Sequence, residues 1–253
     1  MITIKNKTLG EGIPKICVPL TVSDREELIR IASVFSADGV DMIEWRCDLY
    51  DPRPDRKEVA EILKDLSSLM KDTVLLFTYR TVSQGGKGHL SPEETEALIQ
   101  SVAESGYPDM IDVEFESMKA PDVLVKSIKK NGICTVISHH DFTRTPDNDN
   151  MFFMLTKMKN TGADIVKIAV MPENEKDVLR LIETASEYRD SFPESPFVTI
   201  SMGKLGMISR VYVETIGCAF TFASGSEASA PGQIPYKELR EVLAVLHKAL
   251  EEV

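Results

Sequence analysis

Lys167 stands in Ile165-Val-Lys-Ile-Ala-Val170, an apolar, largely β-branched run with a single amine in its middle. Keeping that amine charged in a strand buried on both faces costs on the order of several kcal/mol unless a partner is supplied. Burial lowers the lysine pKa and frees the nitrogen to attack a carbonyl, so the chemistry indicated is Schiff-base formation. One segment earlier, Ser138-His139-His140-Asp141 carries two imidazoles. Neighbours in a strand point to opposite faces, so the pair cannot ligate one metal, and no His-x-x-x-His or His-Glu-x-x-His spacing occurs. One of the two faces inward, where it can move protons near neutral pH, as enolisation beside an imine requires. Parity near a strand end does not choose between them, and a hydrogen-bonded structural histidine is the plain alternative. His89 and His247 are expected to face solvent.

Charge recurs at matching positions. Glu44 and Arg46 are two apart and share a face, as do Asp112 and Glu114, and Arg80 ends its own apolar run. The steps from Arg46 to Arg80, Glu114, His140 and Lys167 each match one strand-helix unit, so these side chains converge. Structural ion pairing accounts for Asp112 and Glu114 as readily as catalysis does. Arg210 closes Gly203-Lys-Leu-Gly-Met-Ile-Ser-Arg at the start of a helix, a favourable place to bind an anion. Residues 225–233 are small, polar and glycine-bearing, which suits a mobile lid and a plain connection equally.

The elements that must position these groups alternate along the whole chain. Strands are expected at 16–22, 41–46, 73–80, 110–115, 133–140, 165–170, 197–201 and 218–223, with amphipathic helices between them. Ser23 with Glu26, Ser91 with Pro92 and Glu94, and Thr145-Pro146 mark helix starts. Eight units at a spacing of about 31 residues indicate one (β/α)8 TIM barrel occupying residues 1–253 as a single α/β domain. A short N-terminal hairpin, with one strand at 2–4 and Gly10-Glu-Gly12, is expected to plug one end. A doubly wound nucleotide-binding fold is disfavoured: no glycine follows the first strand, and Gln84-Gly-Gly-Lys-Gly88 lacks P-loop spacing.

The chain has 253 residues with a formal charge of −11, which disfavours nucleic acid and anionic membranes as partners. No apolar run approaches the roughly 20 residues of a membrane span, and no signal sequence opens the chain, so the cytoplasm is the expected location. Cys17, Cys47, Cys134 and Cys218 are scattered, without zinc or redox spacing, and read as small buried hydrophobes.

These motifs resemble the type I 3-dehydroquinase family. They are Gly10-Glu-Gly with Pro14-Lys15, Glu44-Trp-Arg46, Phe77-Thr-Tyr-Arg80, Ser138-His-His-Asp-Phe142, Lys167-Ile-Ala-Val-Met-Pro172, Met207-Ile-Ser-Arg210 and Ser229-Ala-Pro-Gly-Gln233. The resemblance runs in family order over essentially the whole chain. It implies a homodimeric barrel that dehydrates 3-dehydroquinate to 3-dehydroshikimate without metal or organic cofactor. It makes Lys167 the imine-forming lysine and His140 the general base and acid of a syn elimination. It assigns Arg210 to the substrate carboxylate, Glu44, Arg46 and Arg80 to the ring hydroxyls and positioning, and Ser229 and Gln233 to a closing loop.

Two positions depart from the family pattern. Gln84 stands where the family usually carries glutamate beside the catalytic histidine, and His139 stands where relatives often have asparagine. The first leads us to expect that His140 titrates lower than in relatives. Another Schiff-base barrel, such as a class I aldolase, would share Lys167 but would not need Arg46, Arg80 and Arg210 together with His140-Asp-Phe142. A barrel catalytically impaired by Gln84, or one kept as a binding scaffold, is the alternative of a different class.

Overall fold

In the computed structural model, residues 1–225 and 230–252 are described. Two short antiparallel strands, β1 (Ile2–Ile4) and β2 (Lys7–Leu9), come first. Eight parallel strands follow: β3 (Lys15–Leu20), β4 (Met42–Arg46), β5 (Val74–Thr78), β6 (Met110–Glu114), β7 (Cys134–Asp141), β8 (Ile165–Val170), β9 (Phe197–Ser201) and β10 (Phe220–Phe222). They form one sheet in the order β10-β3-β4-β5-β6-β7-β8-β9. Between β9 and β10 the Ala219 N–H donates to the Phe197 carbonyl at 2.8 Å, so the (β/α)8 barrel is nearly closed.

Alternation along each strand sorts residues into two cores. Outward positions pack under helices such as α3 (residues Arg56–Leu69) and α4 (Pro92–Ser105). Inward positions run from apolar at one end of the barrel to charged at the other: Met42, Glu44, Arg46 on β4; Met110, Asp112, Glu114 on β6; Val136, Ser138, His140 on β7; Ile165, Lys167, Ala169 on β8. The period of two therefore delivers the polar side chains to the C-terminal ends of the strands, where active sites in this fold lie.

The N-terminal hairpin covers the opposite end. Leu9 is buried among the inward apolar residues, and the Lys5 ammonium donates to the Met70 and Thr73 carbonyls and pairs with Asp109 at 2.7 Å. Its turn lies at Lys5 and Asn6, so Gly10-Glu-Gly12 follows the hairpin rather than forming it. Two helix starts also fall one or two residues later than expected. Asp24 caps the first helix through the Glu27 N–H, and Asp147 caps the sixth through the Asn150 N–H, while Ser91 and Glu94 form a reciprocal capping box. Asp caps as well as Ser. Among the described residues no helix is long and apolar enough to cross a membrane. Cys134 is half-buried rather than buried, and His247 is half-buried against Glu214 at 2.6 Å instead of facing solvent.

Candidate active site

Every described residue expected at a substrate-binding or catalytic position opens on one cavity at the C-terminal barrel mouth: Glu44, Arg46, Arg80, Gln84, His140, Lys167, Arg210 and Gln233, with Phe142, Met202 and Phe222 as apolar walls. Ser229 lies outside the described residues. Asp112 and Glu114 are not among its lining residues; both pair with Arg80, which is.

Lys167 is 4% exposed. Its Nζ sits 3.7 Å from Asp112 Oδ2 and 4.5 Å above the Phe222 ring. Burial pushes the ammonium pKa down, Asp112 opposes the fall, and Arg80 adds to it. His140 follows the inward parity of Val136 and Ser138. Gln84, brought up by a short 3-10 turn at Val82–Gln84, places Oε1 2.7 Å from the His140 backbone N–H and 3.2 Å from its Nδ1. The backbone donor fixes that Gln84 atom as oxygen, so Nδ1 carries the proton and Nε2 keeps a free lone pair. Burial first, then the nearby Arg80, Lys167 and Arg46 charges, holds the His140 pKa well below its ordinary value, so the ring is neutral and basic at pH 7. His139 points the other way, 3.0 Å from Glu116 in an open outer cleft.

The three arginines are held differently. Arg46 makes a two-pronged contact to Asp48, with both bonds at 2.8 Å. Arg80 donates to Asp112, Glu114 and Ser138 at 2.9, 3.1 and 3.0 Å. Arg210, at the end of the 3-10 turn Leu205–Arg210, is 1% exposed, and among the described residues its guanidinium donates to the carbonyls of Gly232, Phe222 and Pro231, at 2.9, 3.4 and 3.2 Å. Among the described residues no carboxylate pairs with it. Burial lowers its pKa to about 10, so it stays charged at neutral pH and can receive an anionic ligand.

Asp48 is the functional residue that the sequence reading missed. Its side chain is fully buried; besides Arg46 it accepts from the Arg80 N–H at 3.1 Å and the Lys87 N–H at 3.0 Å, tying β4, β5 and the Gln84 loop together. A carboxylate two residues beyond a strand-end arginine was the available signal. Glu44 accepts from the Thr78 hydroxyl at 2.8 Å, and Glu114 from Thr81 N–H and Oγ1 at 2.8 and 2.7 Å. Among the described residues no cluster of three or more His, Cys, Asp or Glu is placed to hold a metal ion.

The arrangement suits imine chemistry on a small, oxygenated carboxylate, with an amine, a neutral base and an anion receptor around one space. A family model described as type I 3-dehydroquinase matches residues 16–249. The chain is 41% identical over 250 residues to the 3-dehydroquinate dehydratase of Clostridioides difficile strain 630, covering 98% of both chains. The crystal structure of a type I 3-dehydroquinate dehydratase from Clostridium difficile, with covalently modified comenic acid, superposes with a TM-score of 0.94 at 40% identity and 98% coverage of each chain. The 3-dehydroquinate dehydratase of Geobacillus kaustophilus HTA426 superposes with a TM-score of 0.93 at 32% identity, covering 98% of this chain and 96% of that one.

Proposed function

This chain belongs to the type I 3-dehydroquinase family, and from that membership we propose how its own residues dehydrate 3-dehydroquinate to 3-dehydroshikimate. The enzyme is a hydro-lyase of the shikimate pathway. Arg210 binds the substrate carboxylate, while Glu44, Arg46 and Arg80 hold the ring hydroxyls and shape the cavity, and Gln233 with Ser229 closes over it. Lys167 attacks the C3 ketone. Counted from the ammonium, two nitrogen-bound protons leave with the carbonyl oxygen as water and one stays on the iminium.

The iminium withdraws electrons from the C2–H bond. His140 Nε2 takes that proton, the bond pair becomes a C2=C3 double bond, and the nitrogen is neutralised as an enamine. The enamine pair then expels the C1 hydroxyl, which receives the same proton from His140 and departs as water. Hydrolysis of the product imine frees Lys167. The protonated imine supplies the electron sink, so this sequence calls for no metal or organic cofactor. We read residues 1–253 as one domain working as a cytoplasmic homodimer with no membrane or nucleic-acid partner.

What supports the reading is the shared cavity of a buried lysine, a neutral histidine with its base nitrogen free, and an arginine unpaired with any described carboxylate. Borohydride reduction with 3-dehydroquinate, followed by peptide mass mapping, tests it. The expected result is a reduced adduct on the Lys167 peptide. An absent adduct, with full turnover kept in Lys167→Ala, overturns it.

A further inference from the structure

The two oxygens of Asp112 are treated unequally. Oδ1 accepts from the Ser138 hydroxyl at 2.7 Å and the Arg80 guanidinium at 2.9 Å, which pins the carboxylate in place. Oδ2 is buried with no hydrogen-bond donor in reach among the described residues. The nearest cation is Lys167 Nζ at 3.7 Å, just beyond hydrogen-bond length. Leaving a buried carboxylate oxygen unsatisfied is unfavourable, and Arg80 already has Glu114 as a second acid, so ion pairing for stability does not explain this opening.

We propose that Asp112 is the counter-ion of the Lys167 iminium, its open Oδ2 receiving the one N–H that remains once Nζ is bonded to the substrate carbon. The inference rests on the Schiff-base reading above. Imine formation leaves one positive charge on nitrogen, as the starting ammonium did, so the same carboxylate serves both states. An unprotonated imine is a poor electron sink, and in a buried site only a nearby anion keeps it protonated. The pairing also suits the next step, in which the nitrogen must become neutral: a carboxylate that accepts the N–H without taking the proton leaves the pull on C2 in place.

The charged and titratable groups facing Lys167 come from strands around the barrel, β9 supplying none. They are Cys17 on β3, Glu44 on β4, Arg80 after β5, Asp112 on β6 and His140 on β7. Of these, only Asp112 forms an ion pair with Nζ.

Asp112→Asn, checked for native fold by circular dichroism, tests the assignment. The alkaline limb of kcat, which reports the bound state, is expected to move down by about one pH unit, with kcat lower on the order of a hundredfold. A folded variant whose limb stays in place, whatever its amplitude, overturns the proposal and leaves Asp112 as a support for Arg80. If the variant does not fold, the wild-type adduct with 3-dehydroshikimate decides. Its C=N stretch is expected to drop in D2O from about pH 6 to about pH 9, as a protonated imine requires. Loss of that isotope shift near neutral pH overturns the proposal. In either experiment, absence of any adduct on wild-type Lys167 instead overturns the Schiff-base reading itself.

Discussion

Between Gln84 and a glutamate the difference is one atom, and it sets what His140 can be. The amide oxygen accepts from Nδ1 and fixes the tautomer that leaves Nε2 basic, but it carries no charge to favour the imidazolium. A carboxylate in its place would interact with the protonated ring and raise its pKa. Gln84→Glu is therefore expected to shift the acidic limb of kcat/KM to higher pH by about one unit, because more base is needed to deprotonate His140. Measurement of the pH–rate profile checks this, and an unmoved limb would mean that burial and the surrounding Arg80, Lys167 and Arg46 charges alone govern the ring.

At the scale of elements, the two ends of the barrel do different work. At the N-terminal ends of the strands, Asp41, Asp109 and Asp164 recur as carboxylates that accept a backbone N–H from the preceding strand, at Ile16, Leu75 and Thr135. Asp164 also takes the Thr135 hydroxyl at 2.7 Å and Lys129 at 2.6 Å. Asp164→Ala leaves those Thr135 donors unpaired and is expected to lower stability by roughly 1–3 kcal/mol while kcat stays unchanged. Thermal denaturation and steady-state rates together check it; a fall in kcat with an unaltered Tm would contradict the division. This repeat went unread in the sequence, since an Asp before a strand looks like any turn residue until its register is known. The strands themselves were legible because branched apolar runs between capped helices leave few other folds. Convergence of Arg46, Arg80, Glu114, His140 and Lys167 followed from the unit spacing and the period of two. The inward choice of His140 was legible too, had parity been counted from Val136 and Ser138. What spacing could not supply was pairing: that Arg46 is held by Asp48, and that Gly85, at φ 78°, lies where a Cβ would collide with the Phe142 ring, which is stacked on His140.

For the molecule as a whole, a net charge of −11 and an anionic substrate look opposed. They act at different ranges. The acidic surplus sits on exposed surfaces such as the outer face of α4, which carries Glu93, Glu94, Glu96 and Glu104 and no Lys or Arg, where ions screen it over a Debye length of about 10 Å at 0.1 M salt. On the proposed reading Arg210 acts at contact distance inside a buried cavity, where mobile ions do not reach and the local dielectric is low. Added salt therefore weakens the long-range repulsion more than the short-range attraction. Between about 10 mM and about 150 mM NaCl, kcat/KM for 3-dehydroquinate is expected to hold steady or rise by up to about twofold. A fall of about threefold or more over that interval would mean that a positive field extending well beyond the barrel mouth, rather than contact with Arg210, draws the substrate in.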